Sequence, residues 1–253
     1  EIADRDWSSD VCSSDLFDQI VRSSNDLNGK TYQEIAQDIV DYFGDCQTEG
    51  GGWRYTCRYK GGADNSVTQY VTLALEYATH PDYAFFCQFD DSVKTGLAQF
   101  ITAVQDASGA SGYTPGNLAH SKLYRTGALL QELAFLGVGL GGTLPAQAEL
   151  RVDMALKFIG DNFNDFFVAP WGGTNSHYMG MWSVMKGMVT QGFTMAGAHN
   201  WYEEYCDKLV AQQLDTGAWP EALYFPSGGL LTQTMTTAFA LLVLEKAAPR
   251  KLY

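Results

Sequence analysis

Hydrophobic residues recur along this chain in pairs of segments, the first with one polar face and the second apolar almost throughout. In residues 32–46, Ile35 and Ile39 fall on one helical face while Asp38 falls on the other. This spacing predicts an amphipathic helix that packs on a core through one side. Residues 65–79 are apolar around most of their circumference, which predicts a buried helix.

The same order of an amphipathic and then an apolar segment occurs four times, in units of about 50 residues. Repeats of two helices each predict stacked helical hairpins, with the amphipathic helices outside and the apolar helices inside. No run alternates between polar and apolar residues for long enough to predict a strand. The predicted fold class is therefore all-α, and the predicted units span residues 31–79, 90–137, 145–191 and 199–248.

A short motif marks the joint between the two helices of a unit, with the order Gln-x-x-x-Gly-x-Trp. It is complete from Gln47 to Trp53 and from Gln213 to Trp219. The glutamine would end the outer helix, where carbonyls lack partners, the glycine would permit a tight reversal, and the tryptophan would bury a large ring. We therefore interpret these four residues as structural. Partial copies are Gln105 followed by Gly112 and Tyr113 in the second unit, and Trp171 in the third.

Further residues around the first joint carry a resemblance to a known family. The segments Gly51–Tyr55 and Asp64–Gln69, with both complete motifs, resemble the prenyltransferase and squalene-oxidase repeat of the α/α-toroid superfamily. That superfamily includes squalene-hopene and oxidosqualene cyclases and the β subunits of protein prenyltransferases. The resemblance covers about residues 31–248 and implies an incomplete α/α toroid of about four helical hairpins, truncated at its N-terminus.

The catalytic signatures of these relatives are missing from the sequence. Class II terpene cyclases protonate their substrate with the central acid of Asp-x-Asp-Asp, and the nearest string here is Gln88–Asp91. Protein prenyltransferases hold zinc through Asp-x-Cys and a distant histidine, and only Asp10–Cys12 has this spacing. The sequence therefore predicts neither chemistry, and it predicts no metal or other cofactor.

Residues 1–16 are treated separately, because residues 6–16 resemble a translated short-read sequencing adapter. The native part is predicted to be one domain of residues 17–253, and we expect the natural protein to extend further at its N-terminus. Without residues 1–16 the formal net charge changes from −13 to −9. An acidic chain without a basic patch is not expected to bind nucleic acid.

The location of the protein in the cell stays open at this point. No apolar run approaches the length needed to span a bilayer, so no transmembrane segment is predicted. Any signal peptide would lie in the missing N-terminal part, and both a cytoplasmic and an exported protein are compatible with the sequence. Cys46 and Cys57 flank the first glycine turn, and although an exported protein can join such a pair, two buried thiols are the commoner arrangement and the one we expect.

Polar residues collect near the N-terminal ends of the four apolar segments. Parallel inner helices would bring these ends together at one mouth, since neighbouring helices lie about 8–10 Å apart. The competing interpretation is that each residue caps its own helix or lies in solvent. The catalytic candidates are Asp64, His120, Tyr124 and His177, and the ligand-binding candidates are Asn65, Thr68, Arg125, Tyr178 and Gln233.

Three functions from different classes follow from these residues and from the resemblance. The first is a toroid repeat protein without catalysis, which binds a lipid, peptide or glycan at the mouth and forms a module of a longer chain. The second is an isoprenoid-processing enzyme with a cavity lined by aromatic residues such as Tyr70 and Trp182. The third is a sugar-active (α/α)-barrel hydrolase or lyase, for which Asp64 with Glu221 is the available carboxylate pair.

Overall fold

The fold is all-α, as the sequence predicts. A computed structural model describes residues 19–22, 26–57, 61–83, 85–118, 123–138, 146–164, 177–223 and 230–248. Its helices are α1 (Tyr32–Cys46), α2 (Asn65–Thr79), α3 (Asp91–Val104), α4 (Leu123–Phe135), α5 (Ala146–Asp161), α6 (Tyr178–Gln191), α7 (Trp201–Gln212) and α8 (Gln233–Leu244). A 3-10 turn, Pro81–Tyr83, follows α2.

One short pair of strands corrects the expectation that strands are absent. Strand β1 (Ala222–Leu223) pairs in antiparallel fashion with β2 (Leu230–Leu231), in the loop that leads into α8. Two residues per strand are too few to produce a period-two pattern, so the sequence gives no signal for them. The last helix also begins later in the chain than predicted. Its N-cap is Thr232, whereas the sequence pattern placed the start near residue 229.

The helices form two layers. The even-numbered helices pack on one another in chain order, α2 on α4, α4 on α6 and α6 on α8. The odd-numbered helices pack against them from outside, α1 on α2, α3 and α5 on α4, and α7 on α6 and α8. Every residue of α4 is buried, whereas α1 buries only Val40 and Cys46. The inner and outer positions therefore follow the apolar and amphipathic patterns of the sequence.

The motif glutamines join each outer helix to the next one. Gln47 ends α1, and its Nε2 donates to the Gly51 carbonyl at 2.7 Å and to the Val93 carbonyl of α3 at 2.9 Å. Gln105 ends α3 in the same way, and its Nε2 donates to the carbonyls of Gly109, at 3.2 Å, and of Arg151 in α5, at 2.9 Å. One side-chain amide thus satisfies both its own turn and the neighbouring helix.

Glycine is required in these turns for two reasons. Gly51 and Gly109 have φ values of 83° and 91°, in the left-handed region that disfavours other residues. Each also lies directly against the next outer helix: a Cβ at Gly51 would be 1.8 Å from the Gly96 carbonyl oxygen, and one at Gly109 would be 2.2 Å from that of Met154. The glycine that matters in the second unit is therefore Gly109, not Gly112, and this unit follows the motif with Ser111 in place of the tryptophan.

The motif tryptophans lie inside the hairpin joints. Trp53 and Trp219 are both buried, and the indole Nε1 of each donates to a carbonyl of its own outer helix, that of Phe43 at 2.7 Å and that of Leu209 at 2.8 Å. Each ring therefore ties the turn back onto the helix that it follows. Trp171, the tryptophan of the third unit, lies outside the described residues.

The expectation of two free thiols at the first turn is wrong, because Cys46 and Cys57 form a disulfide. Cys46 is the last residue of α1, and the glycine turn returns the chain so that Cys57 lies beside it. The bond closes a short loop of the first hairpin, for which chain entropy corresponds to about 3 kcal/mol. Cys87 and Cys206 are free.

Candidate functional site

A cluster of polar residues lies where the inner helices α2, α4 and α6 begin, an end that we call the N-terminal mouth. Asp64 precedes α2, and its Oδ1 accepts hydrogen bonds from the Ser66 amide, at 2.9 Å, and from the Ser66 hydroxyl, at 2.7 Å. The Ser66 hydroxyl lies 3.2 Å from that of Tyr113, which belongs to the turn of the second unit. The backbone amide of Asn65 donates to the Tyr113 carbonyl at 2.9 Å, so the first two units meet here.

Arg125 continues this cluster into α4 and α6. Its guanidinium carbon lies 4.8 Å from the ring centroid of Tyr113 and 5.1 Å from that of Tyr124. The Tyr124 ring in turn stacks on the His177 ring, with centroids 5.3 Å apart and an interplanar angle of 10°. The structure therefore connects four residues that the sequence singles out, and the mouth cluster consists of Asp64, Ser66, Tyr113, Tyr124, Arg125 and His177.

Two of the predicted catalytic residues act as helix caps. Asp64 is the N-cap of α2, and its second carboxylate oxygen lies 3.7 Å from a guanidinium nitrogen of Arg54. His177 is the N-cap of α6, and its Nδ1 accepts a hydrogen bond from the Gly180 amide at 2.9 Å. Both residues satisfy amides that the first helical turn leaves without partners, which is the structural role considered in the sequence analysis.

Arg125 has hydrogen-bonding capacity that the protein does not use. The residue is only 4% exposed, and neither its Nε nor its Nη1 donates a hydrogen bond. No ion pair joins it to a carboxylate among the described residues. Arg125 also lies in the first turn of α4, where the helix dipole already contributes positive potential. A buried cation at the positive end of a helix favours an anion beside it.

The Tyr113 hydroxyl and the charged groups near it also favour an anion at the mouth. Burial, together with the neighbouring Asp64 and Tyr55, raises the pKa of the Tyr113 hydroxyl to about 12, although its contact with Ser66 acts in the other direction. The Tyr113 hydroxyl is therefore neutral and able to donate near pH 7. The Arg54 guanidinium lies beside the Asp64 carboxylate, and Arg125 adds a second guanidinium that is paired with no carboxylate among the described residues. The mouth thus carries an excess of positive charge on a chain that is acidic as a whole.

The other predicted ligand-binding residues have separate roles. Thr68 is buried in α2, where its hydroxyl accepts from the Trp53 amide at 3.0 Å and donates to the Asp64 carbonyl at 2.9 Å. The Tyr178 hydroxyl donates to Gln212 of α7 at 2.9 Å, away from the mouth cluster. Gln233 is the exposed first residue of α8, and within the described segments no hydrogen bond or ion pair joins it to the mouth cluster. His120 lies outside the described residues.

A second polar cluster, which the sequence analysis missed, is buried between α2, α4 and α6. Lys186 of α6 is fully buried, and its Nζ donates to Gln69 Oε1 at 3.0 Å and lies 3.9 Å from the centroid of the Trp182 ring. Ser183 donates to the same Gln69 oxygen at 3.0 Å. The only signal in the sequence was a lysine in an otherwise apolar inner helix. We call Gln69, Thr72, Gln131, Glu132, Ser183 and Lys186 the buried polar cluster.

Burial shifts the two ionisable groups of this cluster in opposite directions. It lowers the pKa of Lys186 to about 7, against the opposing effect of the Glu132 charge. It raises the pKa of Glu132 well above its usual range, and the charge of Lys186 acts against this shift. Neither carboxylate oxygen of Glu132 accepts a hydrogen bond within the described part of the chain. Both shifts favour the neutral forms, as expected for groups removed from water.

Two cavities lie away from the mouth. One, of about 630 Å³, is an open pocket between α3, α4 and α5, with Leu133 and Met154 among its lining residues. The other, of about 530 Å³, lies beside Phe193, Trp201 and Lys246. Both adjoin the outer helices, so neither corresponds to the cavity expected above the inner helices.

Among the described residues, no group of three or more histidine, cysteine, aspartate or glutamate side chains is placed to hold a metal ion. None of the described helices is long and apolar enough to cross a membrane. No family model matches the chain, and no curated protein matches it.

Proposed function

We propose that this chain is a toroid-type helical repeat protein that binds a ligand at its N-terminal mouth without transforming it. The repeated hairpins and the Gln-x-x-x-Gly-x-Trp joints support assignment to the prenyltransferase and squalene-oxidase repeat type. The carboxylates that were considered for catalysis support binding over chemistry, because Asp64 caps α2 and faces Arg54. A buried acid that is already held in this way is poorly suited to protonate a substrate.

The observation that carries this proposal is Arg125. Its Nε and Nη1 donate no hydrogen bond within the described part of the chain, although Arg125 is only 4% exposed and lies in the first turn of α4. Protein structures rarely leave buried charged donors without partners, because each costs several kcal/mol unless another group compensates for lost water. A ligand that brings its own acceptor supplies that compensation.

The chemistry of the cluster favours a carboxylate as the group that the mouth recognises. One guanidinium with a neutral tyrosine hydroxyl beside it matches a single negative charge and its acceptor oxygens. A dianion such as a phosphate monoester would also meet the Asp64 carboxylate, which repels the second charge. Fatty acids, peptides with a free C-terminus and acidic glycans all present this group, so the ligand classes expected from the sequence share it.

Isothermal titration with three matched pairs tests the proposal. The pairs are dodecanoate and dodecanol, a hexapeptide with a free and with an amidated C-terminus, and an oligogalacturonide and its neutral galactose counterpart. In at least one pair we expect the carboxylate to bind at least about tenfold more tightly, which corresponds to about 1.4 kcal/mol. Equal or undetectable binding within all three pairs would reject a carboxylate-binding mouth.

A matched pair of variants locates the binding. Arg125→Met keeps the length of the side chain and removes its charge, so it should abolish the preference for the carboxylate. Arg151→Met removes a cation from the outer helix α5 and should leave the preference unchanged. If the preference survives in Arg125→Met, the ligand binds elsewhere.

A second candidate, an isoprenoid-processing enzyme, is favoured by one observation. Tyr70, Trp182 and Phe239 form a continuous aromatic run across α2, α6 and α8, with ring centroids 5.5 Å and 5.4 Å apart. Such rings stabilise carbocations, although here the Lys186 ammonium already lies over Trp182. Incubation with squalene and with oxidosqualene distinguishes the candidates, since a cyclised product would support the enzyme and overturn binding without chemistry.

A further inference from the structure

The turn of the fourth unit repeats the internal turns, but none of the described helices packs against it. Gln213 ends α7, and its Nε2 donates to the Gly217 carbonyl at 2.9 Å, as Gln47 and Gln105 do in their own turns. Gly217 has a φ of 83°, equal to that of Gly51. Gln213 is exposed, however, and a Cβ at Gly217 would meet no atom within 4 Å. The surface that receives the next outer helix in the first two units is open here.

The inner helix of the same unit has a matching open face. The inner helices can be aligned through a shared threonine, whose hydroxyl accepts a hydrogen bond from a backbone amide of the preceding turn. This residue is Thr68 in α2, Thr126 in α4 and Thr237 in α8. One and four residues later, α4 has Gly127 and Leu130, which lie directly against α6: a Cβ at Gly127 would be 2.5 Å from the Val184 Cα.

In α8 the equivalent residues are Ala238 and Leu241, and both are exposed, Leu241 at 49%. In α2 the residue equivalent to Leu241 is Thr72, which is buried and donates to Gln131 of α4 at 3.1 Å. The same face of an inner helix therefore contacts the next inner helix in the earlier units and is uncovered in the fourth. We call Gln213, Gly217, Ala238 and Leu241 the trailing edge.

The first unit has the complementary open face on its outer helix. Alignment of α1 with α3 through Gln47 and Gln105 makes Ile39 equivalent to Leu97 and Tyr42 equivalent to Phe100. Leu97 and Phe100 are fully buried, and a Cβ at Gly52, in the turn of the preceding unit, would be 3.1 Å from the Phe100 ring. Ile39 and Tyr42 are exposed at 48% and 55%. We call Ile39 and Tyr42 the leading edge.

We propose that the trailing edge binds the leading edge of a second copy of this chain, head to tail. The contact between units one and two supplies the pattern: Tyr42 of the second copy occupies the position of Phe100, and its Ile35 carbonyl accepts from Gln213 as the Val93 carbonyl accepts from Gln47. Met154, which aligns with Asp38, shows that a side chain at the closest point is tolerated. Such an interface joins two different surfaces, so each copy retains one open edge.

Two charge variants test this arrangement, since each introduces a carboxylate at an exposed position. Leu241→Glu blocks the trailing edge and Tyr42→Glu blocks the leading edge, while Leu150→Glu on α5 is the control outside both edges. Sedimentation velocity from about 1 μM to about 100 μM should show association of the unchanged protein and of Leu150→Glu, and monomers for each edge variant alone. Thermal melts followed by circular dichroism establish that each variant is folded.

Mixing the two edge variants is the decisive measurement. Each retains one intact edge, so an equal mixture should form a dimer and no larger species. A monomeric unchanged protein would overturn the proposal and leave the edges for a different occupant, such as further repeats of a longer chain. Failure of the mixture to form a dimer while the unchanged protein associates would also overturn it, because that result indicates a symmetric contact.

Discussion

The mouth cluster and the buried polar cluster both place a cation among the inner helices, but they treat its charge differently. Lys186 has Gln69, the Trp182 ring and the nearby Glu132 around it, and burial lowers its pKa to about 7. It can therefore lose its charge without leaving the core. Arg125 lies over two tyrosine rings, but a guanidinium remains protonated in proteins, and two of its nitrogens have no acceptor.

This difference indicates what each cluster does for the protein. An amine that can become neutral is compatible with a closed interior, and the polar contacts of its cluster join α2, α4 and α6. A cation that cannot become neutral remains costly until an anion arrives, so its site is better suited to binding than to stability.

The largest effect is expected from Lys186→Ala. The change removes a buried side chain that packs on Trp182 and connects α6 to Gln69 of α2, and it leaves a cavity. We expect a loss of about 3–5 kcal/mol in the free energy of unfolding, measured by urea denaturation at pH 7. Lys186→Met, which keeps most of the volume, should change it by less than about 1.5 kcal/mol. Similar losses in both variants would mean that the charge matters more than the packing.

The next effect concerns pH. The pKa of Lys186 falls from its usual 10.5 to about 7 in the folded protein, so the unfolded chain binds more protons between these values. Its contribution to stability is complete above pH 10.5 and is lost as the pH falls toward 7. Between pH 7 and pH 9 the unfolding free energy should therefore rise by about 2 kcal/mol more in the unchanged protein than in Lys186→Met.

Subtraction of the two denaturation series reports Lys186 together with its coupling to Glu132, because both proteins share every other ionisable group. Parallel curves for the two proteins would show that Lys186 is not shifted. Glu132 gives the opposite slope at lower pH: its raised pKa means that stability is lost as the pH rises from 4.5 toward the folded value. Glu132→Gln should flatten that part of the curve.

The helices were predictable because their signals are local. The patterns at residues 32–46 and 65–79 match the observed bounds of α1 and α2, and Asp64 was recognisable as a cap from its type and position. The motif glutamines were correctly placed at helix ends. Their second hydrogen bond, to the next outer helix, was not predictable, because it depends on how neighbouring units pack.

The buried polar cluster and the disulfide were missed for a related reason. Lys186 and Glu132 are single polar residues in apolar helices, and composition over a helix averages them away. Gln69, the hydrogen-bond partner of Lys186, lies 117 positions earlier in the chain, a separation that no local pattern detects. Cys46 and Cys57 were visible in the sequence, but spacing alone does not establish that the turn brings their sulfur atoms together.

The smallest effect, and the one that separates the two clusters most directly, is expected from Arg125→Met in the absence of ligand. Removal of the unpaired guanidinium relieves the cost of a buried charge, whereas the lost contacts with Tyr113 and Tyr124 cost about 0.5–2 kcal/mol. We expect a net gain of about 1 kcal/mol, seen by calorimetry as a rise in Tm of about 2–4 °C.

A loss of stability as large as that expected for Lys186→Ala would place Arg125 with Lys186 among the residues that hold the inner helices together. A gain in stability accompanied by loss of carboxylate binding is the signature of a residue kept for its ligand, because stability and binding then change in opposite directions at one side chain.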